Sequence, residues 1–156
     1  SNVTTMGGMF FGATAFNQPL NNWDTSNVTN MQSMFSSNSV SAFNQPLNSW
    51  NTANVIYMAF MFENATAFNQ NINSWNVGNV QYMSGVFHNA TAFNQPLNSW
   101  DVSNVTDMDI MFQDASAFNQ NISNWCVTLI PTEPQDFSLN SALSINNKPV
   151  WGTCPP

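Results

Sequence analysis

Apolar residues return at nearly constant intervals along most of this chain, between stretches rich in Asn, Ser and Thr. The tripeptide Phe-Asn-Gln occurs five times, at steps of 27, 25, 25 and 25 residues, and a Trp follows seven residues after each Phe. These residues are Phe16, Phe43, Phe68, Phe93 and Phe118, with Trp23, Trp50, Trp75, Trp100 and Trp125. A period of roughly 20–50 residues is typical of a protein whose units bury their apolar faces against copies of themselves. The pattern predicts a solenoid of about five coils of 25 residues.

Two local spacings divide each unit. In the first complete unit, Leu20, Trp23 and Thr25 include a two-residue step, which is typical of a short strand. The apolar residues that follow are spaced by three, three and one, which fits one face of a short helix or 3₁₀ segment. They are Val28, Met31, Met34 and Phe35. We therefore expect an α/β fold in which every coil has a short strand, paired in parallel with its equivalents, and a short helical segment.

The sequence motif of the units resembles that of a known family. The spacing Leu20-x-x-Trp23-x-Thr25, continued by Val28 and Met31, is similar to the BspA-like leucine-rich repeat. The phrase Phe-Asn-Gln-Pro-Leu-Asn-x-Trp-Asp-x-Ser-Asn-Val-Thr-x-Met resembles the DUF285 surface-protein repeat more closely, over residues 1 to about 127. The resemblance implies a right-handed solenoid of the leucine-rich-repeat type, in secreted or cell-surface proteins of microbes and protists. It implies a role in adhesion or as structural material. The family has no common activity, so the resemblance indicates the fold more specifically than the function.

The end of the chain departs from the repeat, and the sequence predicts repeats over residues 1–125 and a capping segment over residues 126–156. Cys126 replaces the Asp or Asn that follows each earlier Trp, and Cys154 lies near the chain end. The two cysteines suggest a disulfide that holds the segment over the last coil, and two buried free thiols are the alternative. A disulfide indicates an oxidising compartment, so we expect an extracellular or cell-surface location.

Charge limits the partners that the protein can have. Lys148 is the single basic residue, there is no Arg, and the net charge is −7. Nucleic acids and anionic membranes both require clustered basic residues, so neither is an expected partner. No run of 18 apolar residues occurs, so no membrane insertion is expected. The neutral polar surface gives little electrostatic protection against self-association.

The first residues carry the candidates for self-association. Val3, Met6, Met9 and Phe10 belong to a first, partial repeat without a polar cap, and an uncapped repeat end exposes apolar surface and unpaired backbone groups. We therefore expect a structural or adhesive extracellular protein that associates with itself into a filament or surface layer, through its ends or flanks. Other surface proteins and glycans are further expected partners.

A surface that binds glycan or ice is the alternative function. Ice binding requires a flat array of matched Thr, and the column Thr25, Thr52, Val77, Val102, Val127 is not one. Glycan binding by stacking requires exposed aromatic rings, and only Tyr57, Tyr82 and Phe60 fall outside the predicted core positions. The recurring Asn after each Phe is expected to form a hydrogen-bonded ladder rather than a ligand array.

Six Asn-x-Ser/Thr sequons are candidate glycosylation sites: Asn2, Asn27, Asn64, Asn89, Asn104 and Asn121. Asn64 and Asn89 are the favoured acceptors, because they share a position at the predicted end of the helical segment, where side chains face solvent.

No catalytic constellation is visible. His88 has no Cys, Ser or second His in register, and it is expected to be a surface residue. Four aspartates crowd one unit, but their spacing fits no calcium loop and favours a solvated acidic patch. They are Asp101, Asp107, Asp109 and Asp114. The sequence therefore predicts no enzyme, no cofactor and no metal site.

Overall fold

The computed structural model describes residues 2–155, and in this part of the chain regular secondary structure is nearly absent. The single helix is a 3₁₀ helix at Ile145–Asn147, and no strand or α-helix is present in these residues. Isolated parallel bridges join successive repeats instead, in the order Thr5, Asn30, Tyr57, Tyr82 and Asp107. The predicted strand at Leu20–Thr25 and the predicted helical segment at Val28–Phe35 are therefore wrong.

Consecutive turns occupy the place of the predicted helix, in a part of each repeat that we call the turn segment (Met31–Ser36 and its counterparts). Ser33 has a φ of 54°, in the left-handed region, which a right-handed helix cannot contain. The N–H groups of Ser33 and Phe35 donate to the carbonyls of Ala59 and Met61 at 2.9 Å, so they bond the next repeat instead of their own. The left-handed position recurs at Gly8, Ser33, Phe60, Gly85 and Ile110.

The bonds of the turn segment run in one direction, from each repeat to the one that follows it. In each of these bonds a backbone N–H donates to a carbonyl of the next repeat, at 2.8–3.0 Å. The pairs are Met6 to Asn30, Phe35 to Met61, Phe62 to Val86, Phe87 to Met111 and Phe112 to Phe137. Like segments of successive repeats therefore lie against each other in chain order.

The core consists of columns of like side chains. Phe43, Phe68, Phe93 and Phe118 form one column with ring centroids 5.9–6.1 Å apart. Phe35, Phe62, Phe87 and Phe112 form a second at 5.5–5.8 Å. Trp50 and Trp75 lie parallel at 6.2 Å. The Met residues of the turn segments, the Val residues that precede those segments, and the buried Leu and Ile residues fill the remaining interior. Burying these large side chains in every repeat is the main favourable term for folding.

An asparagine ladder runs beside the core, as predicted. Each Oδ1 accepts the backbone N–H of its counterpart in the next repeat at 2.9–3.1 Å. The series is Asn17, Asn44, Asn69, Asn94, Asn119 and finally Ser144. Because Ser144 lies in the segment predicted as a cap, that segment continues the ladder by one step.

The predicted disulfide between Cys126 and Cys154 is present. The segment that it ties down covers the last repeat: Phe137 is buried, with its ring edge-on to Phe112 at 5.4 Å and to Trp151 at 4.9 Å. The boundary at residues 125 and 126 stays a prediction.

Candidate functional site

Exposed large apolar side chains are concentrated near the two ends of the stack. Phe11 is 51% exposed near the first repeat, and Ile145 is 75% exposed in the C-terminal segment. The others near the ends are Val3, Met9, Leu129, Leu139 and Val150, and the described residues between them add Val40, Tyr57 and Tyr82. We call the surface formed by Val3, Met9, Phe11, Phe16 and Trp23 the N-terminal end surface, since all five belong to the first repeats.

The predicted self-association residues divide between surface and core. Val3 and Met9 are exposed, Phe10 is half-buried, and Met6 is only 5% exposed. Met6 is buried because its N–H donates to the carbonyl of Asn30 and its side chain joins the core. Sequence reasoning missed Phe11, although it directly follows Phe10.

Trp23 shows what the N-terminal end surface lacks. The four later tryptophans of its column are at most 4% exposed, whereas Trp23 is half-buried. Each later indole Nε1–H donates to a carbonyl of the preceding repeat at 2.9–3.1 Å, as Trp50 does to Leu20. For the indole of Trp23, no such acceptor exists among residues 2–155. A preceding repeat would supply both the missing carbonyl and the missing contact.

Two polar grooves lie on one flank of the stack. The first has a volume of about 770 Å³ and the second about 500 Å³. Four lining residues of the first, Pro46, Asn48, Gln70 and Asn71, recur 50 positions later in the second as Pro96, Asn98, Gln120 and Asn121. We call these the flank grooves.

The exposed tyrosines do not form an open aromatic platform. Tyr57 and Tyr82 are stacked at 5.2 Å with an interplanar angle of 7°, so each ring covers one face of the other. Phe60 is half-buried, and its ring occupies the space where a Cβ of residue 85 would lie, which is open because that residue is Gly85. The threonines of the column considered for ice binding, Thr25 and Thr52, are buried.

His88 has partners that its surroundings in the sequence did not suggest. Its Nδ1 lies 3.3 Å from Oε1 of Glu63, and its Nε2 lies 3.9 Å from Oδ2 of Asp114. Glu63 also accepts a hydrogen bond from the Ser36 hydroxyl at 2.7 Å, so the serine is directed to the carboxylate and not to the imidazole. The 25-residue period would have revealed the contact with Glu63, since the two residues are one period apart.

The aspartates of the Asp101 repeat bond to different turns. Asp101 accepts from the N–H of Ser103 at 3.1 Å, and Asp114 accepts from the side chain of Asn140 at 2.8 Å. Within residues 2–155, no group of three or more His, Cys, Asp or Glu side chains could hold a metal ion.

The favoured sequons are less open than expected. Asn64 and Asn89 are half-buried with positive φ, Nδ2 of Asn64 donates to the carbonyl of Ser37, and Nδ2 of Asn89 donates to Oδ1 of Asn64, both at 2.6 Å. The more exposed sequon residues are Asn2, Asn27, Asn104 and Asn121. Glycosylation of any of them stays a prediction.

Stacked units with a fixed period and fixed ladders define a repeat protein. The profile of a family described as "Mycoplasma protein of unknown function, DUF285" matches residues 1–84 and again residues 38–149, and the chain belongs to this family. No curated protein and no solved structure matches the chain significantly. Within the described part of the chain, no helix is long and apolar enough to cross a membrane.

Proposed function

We propose that this protein is an extracellular structural or adhesive repeat protein that associates with itself through the ends of its stack. The observation that carries the proposal is the distribution of exposed large apolar side chains. Of the ten among residues 2–155, seven lie near the two ends, including Phe11 and Ile145. Surfaces of this kind are typical of interaction sites, because isolated soluble proteins rarely leave contiguous apolar patches in water.

A further stacked unit is the best complement for the N-terminal end surface. In every later repeat, the equivalents of Phe16 and Trp23 are covered by the preceding repeat, and the indole N–H bonds to one of its carbonyls. A copy that docks its C-terminal segment here, through Leu139, Ile145 or Val150, would leave its own N-terminal end surface open. Such a heterologous contact propagates into a filament.

The finer description of the fold belongs to the same proposal. The parallel bridges and the 25-residue period support a right-handed solenoid of the leucine-rich-repeat type, with turns where we had expected strands and helices. The Leu and Trp spacing supports kinship with BspA-like repeats. The disulfide supports an extracellular or cell-surface location.

Light scattering after size exclusion, combined with negative-stain electron microscopy, tests the proposal. We expect linear oligomers whose size increases with protein concentration. Met9→Ser combined with Phe11→Ser should abolish them. Ile145→Ser combined with Val150→Ser should have the same effect. Val40→Ser is the matched control, because Val40 is 61% exposed but lies away from both ends, between Phe35 and Phe43 in the repeat that is 27 residues long instead of 25.

Two outcomes would contradict the proposal. One is a monomer at every concentration, and the other is an oligomer that weakens equally when Val40 is replaced. A segment upstream of Ser1 could also occupy the N-terminal end surface. In that case, a longer chain that carries preceding repeats would be monomeric, whereas residues 1–156 would associate.

A further inference from the structure

The flank grooves recur because one position of the repeat alternates between two residue types. The residue after Phe-Asn-Gln is Pro19 in the first of the five repeats, and from the second repeat onward it alternates as Pro46, Asn71, Pro96 and Asn121. Each groove lies where a proline repeat is followed by an asparagine repeat. Two repeats of a parallel stack advance by roughly 10 Å, since paired chains lie ~4.8 Å apart. The grooves are therefore two equivalent sites in line along the flank.

The asparagines of the grooves have one end fixed and the other unused. Oδ1 of Asn71 accepts the N–H of Asn73 at 3.0 Å, and Oδ1 of Asn121 accepts the N–H of Ser123 at 3.0 Å. In neither side chain does Nδ2 donate to any residue of the described chain. Because the carbonyl end is anchored, the NH₂ group is held in place before any ligand arrives, which lowers the entropic cost of binding.

A second amide at each groove repeats this arrangement. Oδ1 of Asn48 accepts from Nδ2 of Asn21, and Oδ1 of Asn98 accepts from Nδ2 of Asn73, both at 3.2 Å. Nδ2 of Asn48 and of Asn98 has no acceptor within residues 2–155. Each groove therefore offers at least two fixed amide donors beside a proline ring.

Charge and polarity select the ligand. Asp101 is the single charged residue of the first groove, and the second has none. Lys148, the only basic side chain, is paired with Glu133 at 2.6 Å. An anionic ligand would find no counter-charge, and an apolar ligand would leave the amides unpaired, at a cost of about 1–3 kcal/mol for each buried group. A neutral chain of hydroxyl groups can accept from the amides while its C–H faces pack on the prolines.

We propose that the flank grooves bind a neutral polysaccharide chain that runs along the stack and contacts both grooves. Each groove is open and polar, so a single contact is weak. A chain that reaches both converts the second contact into an intramolecular one and gains affinity by effective concentration. The site is on the flank, so this binding is independent of association through the ends.

Isothermal titration calorimetry with soluble oligosaccharides of cellulose, laminarin and mannan tests the proposal, with a sulfated glucan as the anionic comparison. We expect at least one neutral series to bind, with a gain of about tenfold or more from disaccharide to hexasaccharide. The sulfated glucan should bind more weakly than its neutral counterpart.

Asn71→Pro combined with Asn121→Pro removes one of the fixed donors from each groove and introduces no residue type foreign to this position, since Pro46 and Pro96 occupy it in other repeats. The N–H groups of Asn71 and Asn121 make no backbone bond in the described chain, so proline is tolerated. We expect tenfold or greater loss of affinity with a nearly unchanged Tm. Asn121→Pro alone should remove the gain with oligosaccharide length.

Gln81→Ala is the control, because its exposed side chain lies on a different surface, beside Tyr82. It should bind as the unaltered protein does. No binding of any neutral series, undiminished binding by the double proline variant, or an equal loss in Gln81→Ala would each overturn the proposal. End-to-end association would be unaffected by any of these results, and the two proposals therefore fail separately.

Discussion

Replacing the same residue type inside the stack and at its end gives the sharpest test of how the repeats hold each other. Trp75 is 2% exposed, lies parallel to Trp50 at 6.2 Å, and donates its indole N–H to the carbonyl of Leu47 at 3.0 Å. Trp75→Phe removes that hydrogen bond, at a cost of about 0.5–1.5 kcal/mol. The lost ring leaves a gap that costs about 1–2 kcal/mol more. The expected loss is therefore about 1.5–3.5 kcal/mol.

Trp23→Phe is the matched comparison. Trp23 is half-buried and its indole has no acceptor within the described chain, so the expected loss is about 1 kcal/mol or less. Urea unfolding followed by circular dichroism measures both free energies, with an unchanged m-value as the check that the unfolded states are comparable. Thermal unfolding should show Tm lowered by about 3–14 °C for Trp75→Phe. Equal losses at the two positions would refute the reasoning, because stability would then not depend on a preceding repeat.

Three further predictions concern stability. Replacing Cys126 and Cys154 with Ser should destabilise the fold by about 3–4 kcal/mol on the chain-entropy model. Thermal unfolding measures the resulting decrease in Tm. Adding reductant to the unaltered protein should lower its Tm by the same amount. Gly85→Ala should lower the free energy of unfolding in urea by at least about 1–2 kcal/mol. Gly85 has a φ of 59°, and an added methyl group would collide with the ring of Phe60 in the preceding repeat. An unchanged free energy of unfolding would contradict the described turn. The hydroxyl and the N–H of Ser26 donate to the Asp24 carboxylate and lower its pKa to about 2. Ionised Asp24 therefore stabilises the folded state above pH ~4, and this stabilisation is lost as the pH falls towards ~2. Asp24→Asn should make the free energy of unfolding less dependent on pH over that range.

The aromatic columns could be predicted from the sequence, because spacing alone decides which side chains meet when units stack. Trp75 and Trp100 were assigned to the core from their position relative to Phe68 and Phe93, and all four are buried. The Asn ladder followed from the same period. The disulfide followed from two cysteines at the end of the repeats.

The backbone conformation could not be predicted in the same way. An apolar spacing of three and one fits a helix, but it also fits successive turns with left-handed residues. Glycine marks the left-handed position at Gly8 and Gly85, whereas Ser33, Phe60 and Ile110 occupy it elsewhere, so residue type gives no consistent signal. Inter-repeat hydrogen bonds decide the conformation, and no single repeat contains them.

The sequence shows which residues recur in the flank grooves, but it does not show which of their side-chain groups are free to bind a ligand. The alternation of Pro46 and Asn71 can be read directly, but its meaning depends on which end of each amide is already bonded. Exposure at Asn64 was misjudged for the same reason, since its amide is bonded to Ser37.

The one-way bonds of the turn segments give the molecule a head and a tail. In the first repeat, the carbonyls of Thr5, Gly7 and Met9 stand where later repeats accept an N–H from the unit before. Two heads brought together would set the carbonyls of their turn segments against each other, and neither would supply the carbonyl that the indole N–H of Trp23 lacks. A preceding repeat at the head supplies N–H donors to these turn-segment carbonyls, as it does inside the stack. Growth along this pattern would thus lay every subunit down with the same orientation, and the two tips of the resulting thread would be chemically distinct.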